Sequence, residues 1–150
     1  MTEAVVAGAL VVAALNAVAG LYGAWRWYAG RASRAFWVLL RIGQGAALAF
    51  AIAVGCLALA GKHSSDNLFY LYALLPLAVS FVAEQLRVTS AQAILDRRDL
   101  PDAQAVGELP QADQHAVVAA ILAREMGIMC LSAFVVVFLA LRAAGTAHGF

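Results

Sequence analysis

The sequence predicts an all-α protein: a four-transmembrane-helix bundle whose helices 3 and 4 extend into a cytoplasmic helical stalk. Three observations carry that prediction. Of the 150 residues, 64% are hydrophobic and only 13% charged, and the mean hydropathy of +0.83 is far above what a water-soluble domain tolerates. Apolar stretches recur four times, and a span needs about 20 residues. Basic residues are grouped on alternate connections, as they are when a chain crosses a membrane repeatedly.

The first stretch runs from Ala4 to Trp25, interrupted only by Asn16. It opens Met-Thr-Glu with no basic region and ends in Trp25, Trp27 and Tyr28, aromatics suited to a lipid interface, so it is expected to stay as a span rather than be cleaved as a signal. The second stretch, Ile42 to Gly61, is interrupted by Gln44. The third and fourth, Leu68 to Ala83 and Met126 to Leu141, are 16 residues each. At helical rise that is roughly 24 Å, which crosses a core of about 30 Å only with flanking side chains that snorkel or a thinned bilayer. With their polar extensions the helices are expected at 4–29, 34–61, 67–97 and 110–143, within a single domain.

Orientation follows from the positive-inside rule. Arg26, Arg31, Arg34 and Arg41 surround the first connection and Arg87, Arg97, Arg98 and Arg124 the third, whereas only Lys62 and Arg142 lie opposite. Both termini and the Gly61 to Asn67 loop are therefore expected outside a bacterial cytoplasmic membrane. In the third connection helical pattern continues from Glu84 through Val88, Ala91, Ile94 and Leu95. It resumes at Pro110, a first-turn residue, before Val117, Val118, Ile121 and Leu122. Two antiparallel helices closed by a turn at Asp99–Gly107 make the stalk.

Polar residues can be placed by depth at 1.5 Å per residue. Gln44, Glu84, Arg124 and Glu125 fall at roughly 24 to 27 Å from the outer ends of their helices and Arg41 at about 30 Å. Together with Arg87 they define one inner layer. Such a layer either ties helices together through interfacial ion pairs or forms a proton, cation or anion site at an inner mouth, with Glu84 and Glu125 as a carboxylate pair. Asn16 lies near the midplane, about 18 Å deep. Its amide needs a partner across a helix interface, or else contacts a substrate. Gly43, Ala47, Ala51 and Gly55 recur every four residues on the second helix, beside a second row of Gly45, Ala49 and Ala53. Such faces permit close approach, either within the bundle or to a second copy. Pro76 is expected to kink the third helix.

Other chemistry is poorly supported. Cys56 and Cys130 differ in depth and form no C-x-x-C, so no disulfide is expected. His63 and His148 fall outside and His115 inside, which leaves no imidazole to ligate haem in the bundle. A metal site from His63, Asp66 and His148 has no ligand spacing behind it. No hydrolase, zinc-protease, nucleotide-binding or headgroup-transferase motif occurs. Ten basic against nine acidic residues provide no basic stripe for nucleic acid. No cofactor is expected, and the chemical partner implied is membrane lipid.

The runs Asn-Leu-Phe-Tyr-Leu-Tyr from Asn67 to Tyr72, Ala-Glu-Gln-Leu-Arg from Ala83 to Arg87 and Ala-Arg-Glu-Met-Gly from Ala123 to Gly127 resemble the small four-helix integral membrane proteins of actinobacteria. That resemblance covers most of the chain and implies architecture without an assigned activity. The expectation is a non-enzymatic accessory or assembly protein. Its alternatives are a small transporter or channel built on the inner layer and a lipid- or quinone-binding membrane enzyme.

Overall fold

A computed structural model describes residues 1–149. Among these the chain is all-helical: α1 (Thr2–Tyr28), α2 (Arg34–Leu59), α3 (Leu68–Asp96), a short α4 (Ala103–Gly107) and α5 (Gln111–Thr146). All but α4 are long and apolar enough to cross a membrane.

Several of these helix ends have a local cause. Gly30 and Gly61 adopt φ of 64° and 76°. After them the Arg31 amide bonds Arg26 O at 3.0 Å and the Lys62 amide bonds Leu57 O at 3.0 Å. Both are Schellman closures, in which a left-handed residue lets later amides satisfy the last free carbonyls. Asp99 takes that role after α3, with φ 55° and the Leu100 amide on Leu95 O at 3.0 Å. The Asp102 carboxylate caps α4 by accepting from the amides of Gln104 and Ala105 at 2.8 and 2.9 Å. Pro110 stands at the N-cap of α5. The last helix runs three residues past its expected end at 143. Ala143 is buried there, and the Thr146 hydroxyl donates back to Arg142 O at 2.9 Å. α3 continues unbroken through Pro76.

α5 is the hub of the bundle. It packs extensively against both α1 and α3, α1 packs against α2, and α2 and α3 meet only sparsely. The apolar stretch of α5 is 44% buried, against 22% for α2 and α3. Three layers of core follow one another along the bundle. Near the termini lie Val5, Ala9, Val54, Phe69, Ala73 and Ala143; in the middle Val12, Ala13, Ala47, Val136 and Ala140. At the arginine-rich end lie Phe36, Leu40, Ala83, Met126, Met129 and Cys130. Beyond them α3 and α5 stay paired, with Ser90, Leu95 and Val117 buried.

Close approach depends on glycine at two places. A Cβ at Gly23 would overlap the Phe36 ring and lie 2.6 Å from Cys130 Sγ, so α1, α2 and α5 converge on that point. At Gly43 a Cβ would lie 2.9 Å from Asn16 Oδ1. The outward surface carries Leu21, Ile52, Phe81, Leu131 and Phe138, each more than half exposed. An apolar belt on each of the four long helices is what a bilayer solvates and water does not.

Candidate functional site

Five of the six residues expected in one layer are gathered where α2, α3 and α5 approach each other. One helical turn brings Arg41 beside Gln44, and its Nη1 donates to Gln44 Oε1 at 2.6 Å. The same nitrogen donates to Glu84 Oε1 of α3 at 2.5 Å, while Gln44 Nε2 reaches that oxygen at 3.5 Å. Glu84 Oε2 lies 3.3 Å from Arg87 Nε, three residues along α3. The Arg87 guanidinium in turn covers the Trp37 ring of α2 at 5.3 Å from its centroid. A single carboxylate thus bridges two guanidinium groups and joins two helices that meet only sparsely.

Glu125 is half-buried and within electrostatic range of Arg87 and Glu84, with no ion pair of its own among the described residues. Arg124 is not part of the cluster. It lines the seam between α1 and α5 instead, because successive residues on a helix point about 100° apart. Depth along the axis placed Arg124 and Glu125 together; direction around the axis separates them. Trp37 was not singled out from the sequence, although it precedes Arg41 by four residues and so shares its face.

Side chains in the cluster are part-exposed, 52% for Arg41 and 28% for Glu84, so each pairing contributes modestly. A double-mutant cycle on Arg41→Ala and Glu84→Ala, read by unfolding in mixed micelles, is expected to give a coupling of about 0.5 to 1 kcal/mol. The cycle between Arg124→Ala and Glu84→Ala should give none. Equal coupling in the two cycles would contradict the arrangement.

Asn16 is 1% exposed. Its Nδ2 donates to Val12 O of its own helix at 2.9 Å and to Gly43 O of α2 at 3.2 Å. The amide is therefore satisfied inside a packed α1–α2 interface. Ser132 likewise bonds its own helix, donating to Met129 O at 2.8 Å. It lines an open groove between α3 and α5 along with Val79, Val82 and Val135. Of the small-residue row, Gly43, Ala47 and Ala51 are buried within the chain and Gly55 is exposed. Gly45, Ala49 and Ala53 lie on the outward side of α2.

At the end bearing the termini, the loop before α3 is clasped to the end of the chain. Ser64 Oγ donates to Thr146 O and His148 O at 3.3 and 3.0 Å, and the Ser65 amide donates to His148 O at 2.9 Å. The Ser64 amide donates to the Tyr70 hydroxyl at 3.0 Å, and the His63 ring stands 3.5 Å from that hydroxyl. His148 thus contributes its backbone here, and among the described residues no three His, Cys, Asp or Glu side chains gather as metal ligands. Cys56 is exposed, Cys130 is buried and both are free thiols. Since Ser64 is buried and its one hydroxyl proton is shared between two carbonyls that also accept from backbone amides, Ser64→Ala is expected to cost about 0.5 to 1.5 kcal/mol. Thermal unfolding in detergent checks this, and an unchanged midpoint would show the clasp to be dispensable.

Comparison of the chain with family models, with curated proteins and with solved structures finds no match. The functional reading rests on the geometry.

Proposed function

We propose that this protein is a non-enzymatic integral membrane bundle that serves as an accessory or assembly partner for other membrane proteins. The observation that carries the reading is the state of its polar groups. Asn16 is bonded into a helix interface, and the carboxylate Glu84 is closed on Arg41, Gln44 and Arg87. A permeation path at the midplane needs polar groups turned toward a common wet cavity. Here they tie helices to each other, which favours a rigid scaffold.

In this proposal the protein lies in a bacterial cytoplasmic membrane with both termini outside, as the arginine distribution requires. The paired ends of α3 and α5, closed by α4, form the cytoplasmic stalk. From Glu84 to Asp96 that stalk extends about 18 Å at helical rise, enough to reach past the headgroups to a partner. The likeness of the chain to small actinobacterial four-helix membrane proteins belongs to the same proposal. Reporter fusions at both termini test the topology, and a cytoplasmic readout from each end would reverse the bundle and remove the stalk.

Function itself is tested by flux. Purified protein in liposomes is expected to move no proton, ion or small solute above protein-free vesicles. Flux that is lost in both Asn16→Leu and Glu84→Gln would replace the scaffold reading with a transporter.

A further inference from the structure

The arginines at the cluster end divide into two groups. Arg41 and Arg87 face Glu84. Arg26, Arg31, Arg34 and Arg124 take part in no ion pair among the described residues. Two of these four, Arg124 and Arg31, border neighbouring depressions that share Trp27 as a wall. The larger is a groove of about 460 Å³ along the α1–α5 seam. Arg124, Gly127, Leu131 and Phe134 of α5 form one stripe of it, as the helical period requires. Ile128 adds to the wall. Gly127 keeps the groove open next to the indole, since a Cβ there would already stand 3.3 Å from the Trp27 ring. The stripe extends about 15 Å along the helix, with positive charge at one end and hydrocarbon surface along the rest.

We propose that this seam is a binding site for one anionic phospholipid, its phosphate between Arg124 and Arg31 and an acyl chain in the groove toward Phe134. The proposal rests on the chain's insertion in a bilayer. Charge complementarity selects this occupant. A bare guanidinium pair at the lipid boundary attracts a phosphodiester, and basic recesses between membrane helices on the positively charged side hold anionic headgroups. An apolar partner helix would instead leave the Arg124 charge at the end of the stripe without a counter-charge. Trp27, 51% exposed, sits at the level where an indole prefers to meet headgroups. It lines both the headgroup recess and the chain groove.

Native mass spectrometry of the full chain in mild detergent tests the site, with phosphatidylglycerol and phosphatidylcholine of the same acyl chains as probes. The expected result is one retained phosphatidylglycerol per chain, held in preference to phosphatidylcholine. That preference should fall about fivefold in Arg124→Gln and again in Arg31→Gln. It should remain in Arg142→Gln, at the opposite end of the bundle. Leu131→Trp, which fills the groove, should release the lipid while leaving both arginines in place. Equal retention of the two lipids would overturn the proposal, as would full competition by glycerol phosphate without acyl chains or a dimer that excludes lipid. A chain that stays off vesicles altogether would remove the bilayer reading itself. An inserted chain indifferent to headgroup charge would remove only the lipid site.

Discussion

Gly23→Ala is expected to destabilise the bundle by about 2 to 3 kcal/mol, and Gly23→Val to prevent its stable assembly. Added methyl groups in a packed interior force neighbours off their preferred positions at about 1 to 3 kcal/mol, and more when the backbone has to shift. Gly23 offers little room for adjustment. The added carbon would meet Phe36, which is fully buried, and Cys130, which is 4% exposed. Those side chains belong to α2 and α5, so relief requires three helices to move apart. Unfolding in mixed micelles measures the loss. A companion measurement isolates the cause: Phe36→Leu in the Gly23→Ala background should recover part of the stability, although Phe36→Leu alone is destabilising. An unperturbed Gly23→Ala protein, or a double variant worse than the sum of the two changes, would show that close packing at Gly23 is not what holds α1 in place.

The second large effect is expected at Gly43. Gly43→Leu should separate α1 from α2 and cost about 3 kcal/mol or more, with Gly43→Ala at about 1 to 3 kcal/mol. The new side chain would project onto the Asn16 amide, at 2.9 Å from Oδ1 for the first carbon alone. It would also disturb the bond from Nδ2 to Gly43 O. Asn16→Ala by itself removes interhelical hydrogen bonding worth on the order of 0.6 to 2 kcal/mol in a membrane. In the Gly43→Ala background the same change makes room for the added methyl, so the two substitutions should be less harmful together than their sum. Simple additivity in that cycle would mean that the amide and the glycine do not meet as the structure places them.

Both sites show how far the sequence could be read. Asn16 was identifiable as a buried amide in need of a partner, because a polar residue in an apolar run is a local signal. Its partner was not identifiable: Gly43 is 27 residues away, and as a glycine it advertises only that something comes close. Gly43, Ala47 and Ala51 were legible as a smooth face; whether they served the chain or a second copy depended on where α1 lies. Gly23 carried no signal at all, since its meaning resides in Phe36 and Cys130 on two other helices.

The cluster around Glu84 divides in the same way. Axial depth follows from counting residues, so the shared level of Arg41, Gln44, Glu84, Arg87, Arg124 and Glu125 was legible in the sequence. Azimuth does not follow, because it depends on how each helix is rotated against its neighbours. That rotation sends Glu125 toward Arg87 and Arg124 to the opposite seam. It also decides that Trp37 covers Arg87.

The sequence by itself therefore determined the number of apolar helices, most of their ends and the layer of each polar group. All of these depend on hydrophobicity, turn chemistry and rise per residue, which are properties of neighbouring residues. Only the tertiary structure decided that α5 is the hub, that Glu84 bridges α3 to Arg41 of α2, and that one arginine of the layer faces an open groove. Those outcomes depend on which helix faces fit together, and packing between helices distant in sequence is settled by shape that no single segment contains.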